Sequence, residues 1–478
     1  MKKINLVIVL FLILLTSCNK NELSQTNATE QDKINEFIWD GMRTYYLWQE
    51  DVPTLNDKRF STYSDLYLHF RNYSTHQGAF ESLLYQKGVT DRFSWIEKDY
   101  VTLENSFQGI NTSTGMEFSL VRYKDLRTNV FGYVRYVIPN SNAETNNVTR
   151  GMLFSTVDGT QITESNLRDL LFGDNTSLTI GLADYNNGNP SANGTSFTLN
   201  KTELQENPIA ITKVLQEGSK KVGYLLYNQF ASSFDTQLNA AFANFKSQGV
   251  TDLIVDLRYN GGGSVRTATR LGAMITGQYG GELFSKQIWN QKVLDANDAD
   301  QFLNKFPSTI DNQPINSLGL TNVYFIVSGS SASASELVIN GLKAYINVKL
   351  IGTKTYGKHV GSITLYDSDN LRKDGANLNP SHRWAMQPIV LEIQNKKGEN
   401  EPNGFVPEAL LGEDISNLGV LGERSDPLLA RALKYITTGS PNARISNYSI
   451  NTISFDEISN SKQESPMGNN MYVEFDFE

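Results

Sequence analysis

Three short stretches carry residue types that could do chemistry together. Ser328-Gly329-Ser330-Ser331-Ala332-Ser333-Ala334-Ser335-Glu336 is built of small residues. Such a run lets the backbone turn sharply and a reactant approach closely. A serine in the first turn of a helix meets unpaired N–H groups and the positive end of the helix dipole. Those features suit a nucleophile beside an oxyanion site. Ser333 and Glu336 also match the Ser-x-x-Glu capping box, so an ordinary helix cap is the competing reading. The second stretch is Gly352-Thr353-Lys354-Thr355-Tyr356-Gly357-Lys358. A lysine here could act as a base if it were neutral, which requires burial or a nearby positive charge. Otherwise it is a solvated surface lysine. The third stretch is Asp256-Leu257-Arg258-Tyr259-Asn260-Gly261-Gly262-Gly263. Its glycines could expose N–H groups as an oxyanion cradle, or form a plain turn.

Each stretch needs an element to place it. Leu253–Leu257 and Val323–Val327 are apolar runs of buried-strand type, and Val348–Gly352 is a third strand. Phe234, Leu238, Ala241, Phe242 and Phe245 share one helical face, and Ser333–Tyr345 reads as another helix. Strand and helix alternate from Phe197 onward, which predicts an α/β layer around a mostly parallel sheet. The three stretches then follow strand ends on one side of that sheet. Asp426-Pro427 opens a last helix through Tyr435, and the polar, acidic chain beyond Gly439 reads as an irregular extension.

Upstream the texture differs. Ile34, Phe37, Ile38, Met42 and Tyr45-Tyr46 recur at helical spacing, and Tyr63–Phe70 repeats the pattern. Residues from Val101 to Asp184 read as short strands with Gly, Asn and Asp turns, plus one short helix at Glu164–Leu171. Asn186–Gly194 reads as a loop or boundary.

Taken in order, the three stretches resemble the core signature of the S41 peptidases, the C-terminal-processing (tail-specific) and tricorn-type serine proteases. The resemblance implies that Ser333 is the nucleophile and Lys358, 25 positions on, is the base. It implies oxyanion donors at Gly262 and Ala334, with Glu336 and Ser362 as supporting groups. Many members carry a glutamine where Ser362 stands, so the third member of the site is open. His359 adjoins Lys358, but neighbouring side chains usually diverge. Ser113-Thr114-Gly115-Met116-Glu117-Phe118 resembles a PDZ carboxylate-binding loop, which implies peptide capture on Gly115, Met116, Glu117 and Phe118. A β-rich domain without peptide binding is the other reading. Ile138-Pro139-Asn140-Ser141-Asn142-Ala143-Glu144, Gly404-Phe405-Val406-Pro407 and Asp426-Pro427-Leu428 resemble further family elements.

Composition sets the surroundings. The chain has 478 residues, 42 Lys plus Arg and 51 Asp plus Glu, a net charge of −9. That balance does not suit non-specific nucleic-acid binding. One cysteine excludes an intrachain disulfide and a cysteine-based zinc site, and four dispersed histidines argue against a His-rich metal centre. No metal or cofactor is expected. Met1-Lys2-Lys3, an apolar run from Ile4 to Leu15, and Thr16-Ser17-Cys18 match a secretory signal that ends in a lipobox-like sequence. The resemblance implies lipidation of Cys18 and an anchor in the cell envelope.

The expected organisation is a lipoprotein signal at 1–17, a tether at 18–32 and an N-terminal helical segment at 33–100. A PDZ-like domain at 101–190, an α/β (ClpP/crotonase-like) S41 peptidase core at 195–440 and a tail at 441–478 complete it. The expected activity is serine endopeptidase action on proteins or peptides through a Ser/Lys dyad and an acyl-enzyme. A catalytically weak or inactive S41-like surface binding protein is the alternative.

Overall fold

The computed structural model describes residues 28–443, 456–465 and 468–474. The signal segment and Cys18 lie outside the described residues. Among the described residues no helix is long and apolar enough to cross a membrane.

The central sheet has six strands in the order Ile209–Glu217, Lys220–Tyr227, Asp252–Asp256, Asn322–Val327, Asn347–Gly352 and Ala409–Leu410. The first pair is antiparallel and the rest are parallel. Its inner strands are apolar at consecutive positions because both faces are covered. Leu253 and Val255 pack on one side with Leu238, Phe242, Leu271 and Val338. Ile254 and Ile326 point the other way, against Leu428, Leu429 and Leu433 of the last helix, Pro427–Thr438. The expected strand and helix alternation is therefore present.

A second six-stranded sheet runs Gly263–Ser264, Met471–Tyr472, Val360–Ser362, Ile389–Asn395, Leu283–Trp289 and Leu303–Lys305. The N-terminal helix Glu30–Tyr45 starts at a Thr29/Asp32 capping box. It is not a free lead-in, because Ile34, Ile38 and Met42 share one core with Leu365, Met386 and Val390. A Cβ on Gly41 would lie 2.4 Å from the Met386 methyl, so this helix seats closely on a small three-stranded sheet of Trp95–Glu97, Ala385–Gln387 and Leu365–Tyr366.

The β-rich module is an antiparallel sheet, Met116–Arg122, Val130–Val137, Leu153–Val157, Ser177–Asp184 and Ser191–Asn200, with the helix Leu167–Phe172 against it. Phe118, Val134, Phe154, Ile180 and Leu199 form its own core. Residues Ser191–Asn200, read from their Asn and Gly content as partly loop, are instead a strand paired with Ser177–Asp184. The module thus runs past the expected 190–195 boundary.

The tail also departs from expectation. It is not an irregular extension: Glu457–Asn460 joins the β-rich sheet and Met471–Tyr472 joins the second sheet. Strands of four and two residues carry too little periodicity to be seen in the chain itself.

A buried ionic cluster ties these parts together. Arg258 is fully buried and donates to Asp256 and Asp426, each at 2.6 Å, and to Glu413 at 3.1 Å. Asp426 is also the cap of the last helix. Arg150 of the β-rich module reaches Glu413 at 2.6 Å and the Tyr259 hydroxyl at 2.6 Å. Burial opposes ionisation of Glu413, but Arg150 and Arg258 hold its carboxyl down to about 2. Removing one partner strands the others' charge in the interior. Arg258→Met is therefore expected to cost about 3–5 kcal/mol of stability, measured by denaturant unfolding. A loss under about 1 kcal/mol would show the cluster to be dispensable.

Candidate active site

The strand Asn322–Val327 ends in a serine-rich turn that leads into the helix Ala334–Lys343. Ser331 Oγ donates to the Leu257 carbonyl at 2.8 Å, and Ser335 Oγ donates to the Asn260 carbonyl at 2.9 Å. These hydroxyls stitch the turn to the Asp256–Gly263 stretch, which is what the alternating serines do. Ser333 stands between them at φ 67°, ψ −117°. A non-glycine residue held there costs roughly 1–3 kcal/mol, and such strain collects at functional positions. The Ser333 hydroxyl is buried and has no hydrogen-bond partner among the described residues.

Glu336 explains how the strain is held. Its Oε2 accepts from the Ser333 N–H at 3.0 Å and the Lys358 N–H at 2.8 Å. Its Oε1 accepts from the Thr355 hydroxyl at 2.6 Å and the Gly357 N–H at 2.8 Å. The capping-box arm from Glu336 to Ser333 is thus made, while the serine hydroxyl stays out of it. One carboxylate pins the backbones of Ser333 and Lys358 to a single oxygen. Burial pushes the Glu336 carboxyl up, and the four donors pull against that. Thr355 also accepts from Phe405 N–H at 2.7 Å, so Gly404-Phe405 braces the lysine loop.

Lys358 is 2% exposed. Burial brings its ammonium down to about 7, against a rise from Asp91 and aided by Arg92. The lysine loop packs on the N-terminal segment: the Lys358 amine lies 4.6 Å from the Phe93 ring centre, and Arg92 donates to the Gly357 carbonyl at 3.3 Å. Asp91, Arg92 and Phe93 escaped the reading of the chain, since no motif marks them. Nζ donates to the Asn469 carbonyl at 2.7 Å and makes no hydrogen bond to Ser333 Oγ.

Gly262 lies against the serine. A Cβ there would come within 2.7 Å of Ser333 Cβ and 3.0 Å of its Oγ. Its φ of 119° and that of Gly263, 134°, further restrict both positions to glycine. The Gly262 N–H donates to Asn260 Oδ1 at 2.9 Å, so it is engaged within its own turn. Ala334 is the first helical residue, where the N–H has no acceptor inside the helix. Ser362 is buried but turned elsewhere, donating to Gln387 Oε1 at 2.6 Å. A glutamine thus stands beside Ser362, supplied by the neighbouring strand Ala385–Gln387. His359 faces Glu392, 3.9 Å away.

The Gly115–Phe118 loop sits in the β-rich module. Gly115 has φ 80°, and a Cβ there would overlap the Ser141 side chain at 2.0 Å. Its N–H is taken by Ser113 Oγ at 3.1 Å, and that of Met116 by Thr114 Oγ1 at 3.3 Å. Phe118 N–H donates to Ser461 Oγ of the tail at 2.9 Å. Glu117 is buried and its carboxyl is pushed up to about 7 by that burial.

The peptidase family S41 profile matches residues 221–388, and the Peptidase S41 N-terminal domain profile matches residues 33–95. Residues 33–95 and 221–388 are thus similar to peptidase family S41. It is 27% identical over 303 residues to the chloroplastic C-terminal processing peptidase of Tetradesmus obliquus, covering 61% of this chain and 60% of that one. It is 24% identical over 243 residues to a carboxyl-terminal-processing protease of Picosynechococcus, covering 51% of each. A crystal structure assigned as an S41 protease from Bacteroides fragilis NCTC 9343 superposes with a TM-score of 0.65 at 25% identity. That match covers 84% of this chain and 97% of the other. The matches span about a third to three fifths of the curated relatives' length.

A buried amine that prefers neutrality also marks stability. Between pH 7 and the ordinary lysine value the unfolded chain binds the extra proton, so stability falls as pH falls through that window. Below pH 7 the loss is complete. Lys358→Met is expected to melt at a higher temperature than the parent at pH 6. The gap should narrow as pH rises toward 10. An equal gap at both pH values would mean that Lys358 is not held neutral.

Proposed function

We propose that this S41 chain is a serine endopeptidase acting on protein or peptide substrates through Ser333 and Lys358. The observation that carries this reading is the Glu336 clamp. It converges a strained serine with an unpaired hydroxyl and a lysine poised near neutrality onto one buried carboxylate. A cap serine and a surface lysine would need neither feature.

In this reading neutral Lys358 takes the Ser333 proton as Oγ attacks the substrate carbonyl. The lysine's side chain first exchanges its bond to Asn469 for one to the serine. The Ala334 N–H faces the developing oxyanion from the helix N-terminus. Gly262 supplies the second N–H if its bond to Asn260 is exchanged on substrate binding. The C–N bond of the tetrahedral intermediate breaks, Lys358 returns the proton to the leaving amine, and water then frees the acyl group. Gln387 and Ser362 support the wall behind the lysine. The β-rich module is PDZ-like in this reading: its Met116–Arg122 edge takes an extended peptide by strand addition. Cys18 carries a lipid anchor that holds the enzyme in the cell envelope, with peptide or protein substrates as its partners.

Ser333→Ala and Lys358→Ala are each expected to lower kcat/KM on an unstructured peptide at least about a thousandfold while the fold persists. A fluorophosphonate should label Ser333 in the parent only. The parent's kcat/KM should climb between pH 6 and 8 with an apparent pKa near 7, since the base works when deprotonated. Full activity in either variant would eliminate the dyad. A correctly folded parent without cleavage or labelling would favour a binding protein on this fold.

A further inference from the structure

The described parts of the tail, residues 456–465 and 468–474, lie at both ends of the path that a substrate would use. Glu457–Asn460 adds to the Met116–Arg122 strand in antiparallel register, with Glu457 opposite Val121 and Asn460 opposite Ser119. Ser461 continues the contact: its N–H donates to the Phe118 carbonyl at 3.0 Å and its hydroxyl to Glu117 at 2.6 Å. This is strand addition at the edge proposed for peptide capture. The chain then crosses to the catalytic site. A Cβ on Gly261 would fall 1.8 Å from the Gly468 carbonyl, and one on Gly262 would lie 2.6 Å from the Asn470 carbonyl. Lys358 donates to the Asn469 carbonyl at 2.7 Å. Met471 and Tyr472 finally pair in parallel with Gly263 and Ser264.

Charge fits the same path. Asp456 pairs with Arg122 at 2.9 Å, Glu457 with buried Arg135 at 2.6 Å, and Glu464 with Arg168 at 2.9 Å. Between the two anchoring strands lies a cavity of about 400 Å³. Met116, Phe118, Leu171 and Gly262 line it, and the tail's Lys462 and Gly468 roof it.

We propose that the tail is a built-in competitor: an extended peptide in cis that occupies the capture edge and the catalytic cleft together, and must leave before a substrate enters. The proposal rests on the endopeptidase reading and assigns its regulation. The tail is held unproductively, because the Lys358 amine donates to a tail carbonyl and is not hydrogen-bonded to Ser333 Oγ. Its contacts with the capture edge combine a main-chain ladder with acidic side chains on Arg122 and Arg135, so competing substrates are extended segments that carry acidic side chains. The tail's intramolecular position gives it a high effective concentration that only a well-matched or abundant peptide overcomes.

The test is to place an orthogonal protease site after Ala443, fold the full chain, cut it, and remove the released fragment by gel filtration. A chain ending at Ala443 provides the tail-free form if the fragment stays bound. Removal should raise kcat/KM by about tenfold or more. A synthetic peptide of residues 456–478 should then inhibit by raising KM at constant kcat. Unchanged cleavage and unchanged Ser333 labelling on removal would overturn the proposal. So would a loss of activity that the peptide restores, which would make the tail a structural strand. Faster Ser333 labelling without peptide cleavage in either form would keep the competitor and remove the endopeptidase reading.

Discussion

A single buried carboxylate, Glu336, organises the end of this molecule where Ser333 and Lys358 meet. Glu336 receives four donors, two from the lysine loop's backbone, one from its threonine and one from the serine it helps to strain. A buried carboxylate with no partners would be expensive, and charge-assisted bonds offset that cost. Because the donors come from two segments after two different strands, the carboxylate fixes their separation. The serine can then hold an unusual backbone conformation, since leaving it would unsatisfy the clamp. Phe405 and Gly404 brace the clamp from behind through Thr355.

The Arg258 cluster does comparable work one layer down. It joins the end of a central strand, the cap of the last helix and the β-rich module. Its acidic and basic groups are paired within the interior, so its contribution is to register more than to net stability. That register sets where the Met116–Arg122 edge stands relative to Gly261-Gly262. The lysine is held against the opposite preference. Its burial against Phe93 sacrifices stability for a neutral amine, the usual conflict between a stable core and a working site. The N-terminal segment thus walls in Lys358 through Phe93 and Arg92, which gives a physical reason for its presence beside the α/β core.

Much of this was legible in the chain. Tyr63–Phe70 is a helix at the bounds its apolar spacing predicts, and the strands before Ser333 and Lys358 lie where their apolar runs place them. What was not legible shares one property, dependence on a distant partner. Phe93 reaches Lys358 across the fold, and Gln387 stands beside Ser362 from another strand. The tail strands are too short to announce themselves and exist only because one sheet offers an edge at Met116–Arg122 and the other a place between Gly263–Ser264 and Val360–Ser362. The stretch 191–194 reads as polar loop because its residues are exposed, yet pairing with Ser177–Asp184 holds it extended.

By itself, then, the sequence determined the α/β layer, the likeness to S41 peptidases and the choice of Ser333 and Lys358 as the pair proposed to react. Local periodicity and three ordered motifs report those, since strand and helix preferences act over a few residues. Only the tertiary structure decided the state of that pair. Whether Lys358 is neutral depends on burial, whether Ser333 is strained depends on a clamp, and whether the cleft is open depends on a tail more than a hundred positions downstream of the lysine. Desolvation, convergence of donors and strand pairing are properties of the assembled molecule, and no window of the chain contains them.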